Sequence, residues 1–185
     1  MYVTTNMRVI MQGLYETDLE AFNNGYDKNW LSDLQDYWCE PTEFHEKRRT
    51  FTMLMSRGCT DDNRTHIALS AICESTRYCN YSKGKFGGEL TFVDPIWWKD
   101  THRVAYDAII NQYKKDELAY LGAAPVCPEA QMLKRILPLG IKAKLRLCGF
   151  DDAWQNFFWR RCDKQHADPE CWLISDQIRS MYQPT

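Results

Sequence analysis

The densest concentration of chemistry in the chain is the run Glu74-Ser75-Thr76-Arg77-Tyr78-Cys79-Asn80-Tyr81-Ser82. It brings a hydroxyl, loop amides and a guanidinium into close order. Such a loop can wrap a phosphate. Hydroxyl and N–H donors fix the oxygens, and the guanidinium adds charge and a bidentate fork. The same residues also suit a solvated loop in which Ser75 only caps a helix end. S-x-R is a short pattern, and spacing alone leaves both readings open.

Other reactive residue types give less. The eight cysteines stand at 39, 59, 73, 79, 127, 148, 162 and 171, with no C-x-x-C pair, and the four histidines are scattered. A zinc site needs converging, close-spaced ligands. Reduced, mostly buried thiols and no metal are therefore expected. Lys142, Lys144 and Arg146 could form a basic patch. They alternate with Ile141, Ala143, Leu145 and Leu147, so they read as the solvent face of a half-buried strand. Trp154, Phe157, Phe158 and Trp159 could stack on a planar ligand, but core or interface packing is the simpler reading. His102 and His166 read as surface residues.

Around these residues the sequence predicts alternating helices and strands. Met7 to Gln12 and Arg49 to Ser56 are apolar enough for strands. Asp18 to Phe22 and Trp30 to Tyr37 carry helical signals, separated by turn residues Asn23, Asn24 and Gly25. Thr60 can cap a helix whose first turn holds Asp61 and Asp62 and whose apolar stripe is Ile67, Ala68, Ala71 and Ile72. Glu74 to Gly88 is then a loop, and Glu89 to Val93 a strand. A long helix runs from Asp100 or Thr101 to about Leu121, and Pro128 opens a short one that ends before Pro138. Ile141 to Leu147 is the cleanest strand. Asp151 caps a helix that buries Trp154, Phe157 and Phe158. Asp168-Pro169-Glu170 opens a last helix through Met181. The pattern is a mixed α/β domain, and no linker or repeat divides residues 1–185.

Composition narrows the function classes. The hydrophobic share is 44% and the charged share 26%, ordinary for a globular domain. A formal net charge of -2 offers no general attraction to nucleic acid. No apolar stretch reaches the length of a membrane span. Met1 to Asn6 lacks the basic-then-apolar layout of a signal peptide, so a cytoplasmic protein is expected.

Glu74 to Lys83, followed by Lys85-Phe86-Gly87-Gly88-Glu89-Leu90-Thr91-Phe92, resembles flavin-dependent thymidylate synthases of the kind common in phages. Arg57-Gly58 and Arg49-Thr50-Phe51 fit the same register. Ile136-Leu137-Pro138-Leu139 is similar to the family's Leu-Pro turn, and Asn156-Phe157-Phe158-Trp159-Arg160-Arg161 to its Asn-Phe-x-x-x-Arg helix. The matches keep their order over about the last three quarters of the chain, which is more specific than any one motif.

The resemblance implies the fold of the thymidylate synthase complementing proteins, and a homotetramer with sites shared between subunits. It also implies FAD, a dUMP-like pyrimidine deoxynucleotide, methylenetetrahydrofolate and NADPH. The implied reaction is one-carbon transfer to C5 of the uracil and reduction, with no cysteine nucleophile, so Cys127 has no such role. By position, Ser75, Thr76 and Arg77 would hold the nucleotide phosphate. Lys134 would contact the nucleotide, with Arg135 beside it as a possible substitute, and Arg161 would reach the base. Ser75 and Arg161 are thus the implied catalytic residues. His66 and Asn156 would face the cofactor.

The departures cluster on the flavin side. The family's Arg-His-Arg triplet is Thr65-His66-Ile67 here, and Arg64 is rotated away by about 100° on a helix. Cys73 replaces Gln or Glu, and Phe150 and Asp152 stand where Asn and Arg are usual. His45-Glu46 reverses the usual Glu-His order. Losing guanidiniums weakens pyrophosphate binding. Three classes follow: a working thymidylate synthase or close variant, a flavin-less nucleotide-binding regulator or sponge, and a structural subunit with a vestigial pocket. The first ranks ahead by analogy with the family.

Overall fold

A computed structural model describes residues 2–4, 8–14, 49–77, 79–83, 88–127 and 129–182. The expected helices at 18–22 and 30–37 and the pair His45-Glu46 lie outside these residues. The architecture is mixed α/β, as the patterning predicts. The elements are β1 (Tyr2–Thr4), β2 (Arg8–Leu14), β3 (Arg49–Ser56), α1 (Arg57–Asn63), β4 (Ser70–Cys73), β5 (Thr91–Val93), α2 (Ile96–Lys99), α3 (Arg103–Ala123), α4 (Ala130–Leu133), β6 (Lys142–Gly149), α5 (Asp151–Arg161) and α6 (Pro169–Met181). A 3₁₀ turn covers Lys134–Ile136. Four strands pair in the order β2-β3-β6-β4, and β1 pairs in parallel with β5, Tyr2 opposite Thr91. The chain divides into two compact units, residues 1–8, 54–63 and 73–144, and residues 9–53, 64–72 and 145–185.

In the first unit, α3 turns Tyr113, Glu117 and Tyr120 inward onto Leu90, Phe92, Leu133 and Ile141. Phe92 and Tyr113 stack at 4.5 Å between centroids. Gly140 lies beside them, and an added Cβ there would run into the Tyr113 phenol. Helix α1 starts earlier than the sequence suggests. The Ser56 hydroxyl accepts from the Cys59 N–H at 3.2 Å and so occupies the N-cap role expected of Thr60. The Thr60 hydroxyl instead donates to the Arg57 carbonyl at 2.7 Å within the helix. The helix ends at Asn63, so the expected apolar stripe does not form. Ile67 and Ala68 sit in an exposed turn, and Ala71 and Ile72 belong to β4, where the side-chain period is two.

In the second unit, Trp154 and Phe157 of α5 are fully buried and Phe158 nearly so, as the pattern predicts. Trp154 meets Phe51 edge-on at 4.9 Å and donates Nε1–H to the Arg49 carbonyl at 3.2 Å. Buried Arg49 is paired with Asp151 at 3.0 Å, its guanidinium 4.1 Å above the Tyr182 ring, whose hydroxyl donates to Asp151. Helix α6 begins as expected: Asp168 accepts from the Glu170 and Cys171 amides at 2.9 and 3.3 Å, with Pro169 in the first turn. One expectation fails here. Arg146 is 2% exposed, not part of a solvent face, because β6 is buried on both faces from Leu145 onward. Lys142 and Lys144 are half-buried.

Candidate functional site

A polar cavity of about 650 Å³ opens in the second unit. One wall is the turn Thr65, His66, Ile67 and Ala68. The other is Asn156, Trp159, Arg160 and Arg161 of α5, with Asp163 just beyond the helix. Asn156, Trp159, Arg160 and Asp163 recur at i, i+3, i+4 and i+7, the spacing that puts residues on one helix face. Burial of Trp154, Phe157 and Phe158 on the opposite side fixes which face that is. Two guanidiniums and one carboxylate leave the cavity a surplus positive charge, suited to an electron-rich or anionic ligand. The Asp163 carboxyl is held below its ordinary range, first by a hydrogen bond from His166 and then by the Gln165 amide.

Arg161 is held at two points. Its Nε donates to His66 Nε2 at 2.9 Å, and its Nη2 donates to Thr65 Oγ1 at 3.1 Å. A guanidinium has donors only, so His66 Nε2 must present its lone pair and the ring's proton must sit on Nδ1. His66 is 6% exposed and packs against Phe157 at 4.9 Å between centroids. Burial, reinforced by the charges of Arg161 and Arg160, lowers its pKa from 6.5 to about 4. At neutral pH the ring is an uncharged acceptor. Arg160 lies over the Trp159 ring at 5.4 Å, and Trp159 is 74% exposed at the cavity rim.

The Ser75–Arg77 loop belongs to the first unit. It leaves a strand, β4, and not the helix the sequence suggested. Glu74 ties its start: the Glu74 N–H donates to the Lys144 carbonyl at 2.8 Å, and its carboxylate accepts from the Lys144 N–H at 3.2 Å. Arg57 Nη1 donates to the Glu74 carbonyl at 3.2 Å. At the far end, Tyr81 is buried and its N–H donates to the Tyr120 hydroxyl at 3.2 Å. Asn80 turns the chain by accepting from Ser82 N and Oγ at 3.1 and 2.6 Å. Between these anchors Ser75 and Arg77 are exposed and Thr76 half-buried. The Ser75 hydroxyl accepts from the Arg77 N–H at 3.2 Å, which closes a compact turn. Lys134 and Arg135 are both exposed in the 3₁₀ turn of the same unit.

Of the residues singled out from sequence, the structure thus brings His66, Asn156 and Arg161 to one cavity. Ser75, Thr76 and Arg77 share one anchored loop. Arg160 and Asp163 were missed as cavity residues, although their spacing from Asn156 was a usable signal. Among the described residues no cluster of His, Cys, Asp or Glu could hold a metal ion, and no helix is long and apolar enough to cross a membrane. Of the seven described cysteines, Cys59, Cys148 and Cys171 are buried.

Comparison with known proteins adds an independent finding. A family model described as thymidylate synthase complementing protein matches residues 15–184. No curated protein sequence matches. Among solved structures, the fold is similar to the UMP/dUMP methylase PolB from Streptomyces cacaoi bound with 5-Br dUMP. The TM-score is 0.67 at 15% identity, covering 98% of this chain and 91% of that one. The same methylase bound with 5-Br UMP gives a TM-score of 0.68 at 14% identity, covering 97% and 90%.

Proposed function

Because the chain belongs to the thymidylate synthase complementing protein family, we propose that it binds a uridylate-type pyrimidine nucleoside 5′-monophosphate and acts at C5 of its base. The observation that carries this reading is Arg161, a permanently charged donor fixed at two points beside a polar cavity. A guanidinium placed at a uracil carbonyl orients the ring and balances negative charge that gathers on that oxygen during reaction. Ser75, Thr76 and Arg77 are assigned to the phosphate, with Lys134 as a further contact and Arg135 beside it. Asn156 lines the same cavity as Arg161. The structurally similar methylase binds brominated UMP and dUMP, which fits the same ligand class. The reading includes a homotetramer, which light scattering reads directly.

The flavin assignment is weaker on physical grounds. The Thr65 hydroxyl is engaged by Arg161, and Ile67 is a fully exposed apolar side chain. The first turn of α5 carries Asp151, which is paired with Arg49, and Asp152, whose carboxylate opposes an anion there. These residues do not fit the pyrophosphate of FAD, and no step is assigned to a flavin. They favour a second reading, a nucleotide-binding protein without the family's turnover. A purified protein carrying stoichiometric flavin after dialysis would reject that second reading.

The binding test is calorimetry with uridine, cytidine and their monophosphates. Arg77→Ala should weaken the monophosphates about 10- to 100-fold, the worth of a charge-assisted hydrogen bond, and leave nucleosides nearly unchanged. Arg161→Ala should weaken both. Absence of heat with every pyrimidine nucleotide, or equal losses for nucleoside and nucleotide in Arg77→Ala, would overturn the assignment.

A further inference from the structure

We infer that Thr65 and His66 are positioning residues for Arg161: the buried histidine of this turn serves the arginine that meets the base, and not a flavin. The inference rests on the base-binding role proposed for Arg161, and it gives His66 a different duty from the one the resemblance implies.

Three observations carry it. First, the two acceptors engage different nitrogens of one guanidinium, Nε at 2.9 Å and Nη2 at 3.1 Å. Two separated contacts fix the plane of the group as well as its position, which a single contact cannot do. An exposed arginine otherwise samples many rotamers, and ordering it on binding weakens the complex. Second, His66 is itself immobilised. It is buried, packs against Phe157, and directs its Nε2 lone pair at Arg161. That lone pair cannot also accept a proton from a ligand without releasing the arginine. Third, residue 65 fits this duty only with an acceptor. Threonine supplies a hydroxyl oxygen, and its β-branched side chain has few rotamers. An arginine there would set a second cation against Arg161 and offer it no acceptor. The threonine at this position and the placement of Arg161 are therefore one coupled feature.

The test combines a double-mutant cycle with a direct observation of the ring. Thr65→Val removes the acceptor and keeps the shape. His66→Phe keeps a ring and removes the lone pair. Each should weaken UMP and uridine by the same factor, about 3- to 10-fold, because the effect is at the base. Thr65→Ser should recover the affinity lost in Thr65→Val. In an Arg161→Ala background neither substitution should weaken binding further. A role in general folding would lower affinity in both backgrounds and would overturn the inference. Nitrogen-15 NMR of the unliganded chain should show His66 with a bare Nε2 and a protonated Nδ1. A protonated Nε2 would overturn the inference whatever binds. If no nucleotide binds at all, the proposed function falls, and the positioning role is then decided by the NMR signature alone.

Discussion

Lowering the pH from 7 to 5 should destabilise the folded chain through His66 by about 2 kcal/mol. In the folded protein burial of the imidazole, reinforced by the charges of Arg161 and Arg160, holds its pKa at about 4 against an ordinary 6.5. At pH 5 the unfolded chain therefore carries a proton on this ring and the folded chain does not. Stability rises with pH wherever the unfolded state binds more protons. The contribution of a lowered histidine pKa thus runs in one direction. Stability is unaffected above 6.5, falls as the pH drops from 6.5 towards 4, and levels off below. The full gap of these two pKa values corresponds to roughly 3 kcal/mol, of which about 2 kcal/mol falls between pH 7 and 5. Urea titrations at both pH values, followed by helical circular dichroism, compare wild type with His66→Gln at matched protein concentration and salt. Glutamine does not titrate, so carboxylate effects common to both proteins cancel. Wild type should lose about 2 kcal/mol more than the variant between the two pH values. Parallel losses would refute a buried neutral His66, and with it the assignment of its lone pair to Arg161.

Two further predictions concern the frame around the sites. Asp168→Ala removes the side chain that accepts from the Glu170 and Cys171 amides at the start of α6; it should cost about 1 kcal/mol, read as a lower urea midpoint at unchanged slope. Gly140→Ala drives a methyl group into the Tyr113 phenol and disturbs its stack on Phe92; a loss of about 1–3 kcal/mol is expected, and a fully stable variant would show that Tyr113 moves aside without cost.

Local rules were legible where cap, proline and periodicity agreed. Asp168-Pro169 announced α6, and the aromatic spacing of α5 announced its buried face. They misled where two hydroxyls competed for one role. Ser56 and Thr60 are both capping residues, and the strand that ends at Ser56 lets the helix begin at once. Arg146 followed the alternation of β6, yet strand alternation predicts solvent only if one face of the sheet is open. At the site, Asn156 and Arg161 came from the resemblance, while Arg160 and Asp163 could have come from helix spacing. The partner of His66 could not have been read at all, since Arg161 lies 95 residues away and nothing local in either segment encodes the pairing.

Helix α5 also gives the protein an internal pair of fluorophores with opposite surroundings. Trp154 is sealed in the core with its indole N–H bound to a carbonyl, and Trp159, little more than one turn later, is 74% exposed on the rim of the cavity beside Arg160. Their emission should separate accordingly, with Trp154 blue-shifted and inaccessible to iodide and Trp159 red-shifted and open to quenching. A ligand that enters the cavity covers the second indole and leaves the first untouched. The difference in quenching between the native chain and Trp159→Phe therefore isolates one indole from the other tryptophans. It turns occupancy of the cavity into an optical signal that needs no label and no knowledge of the reaction.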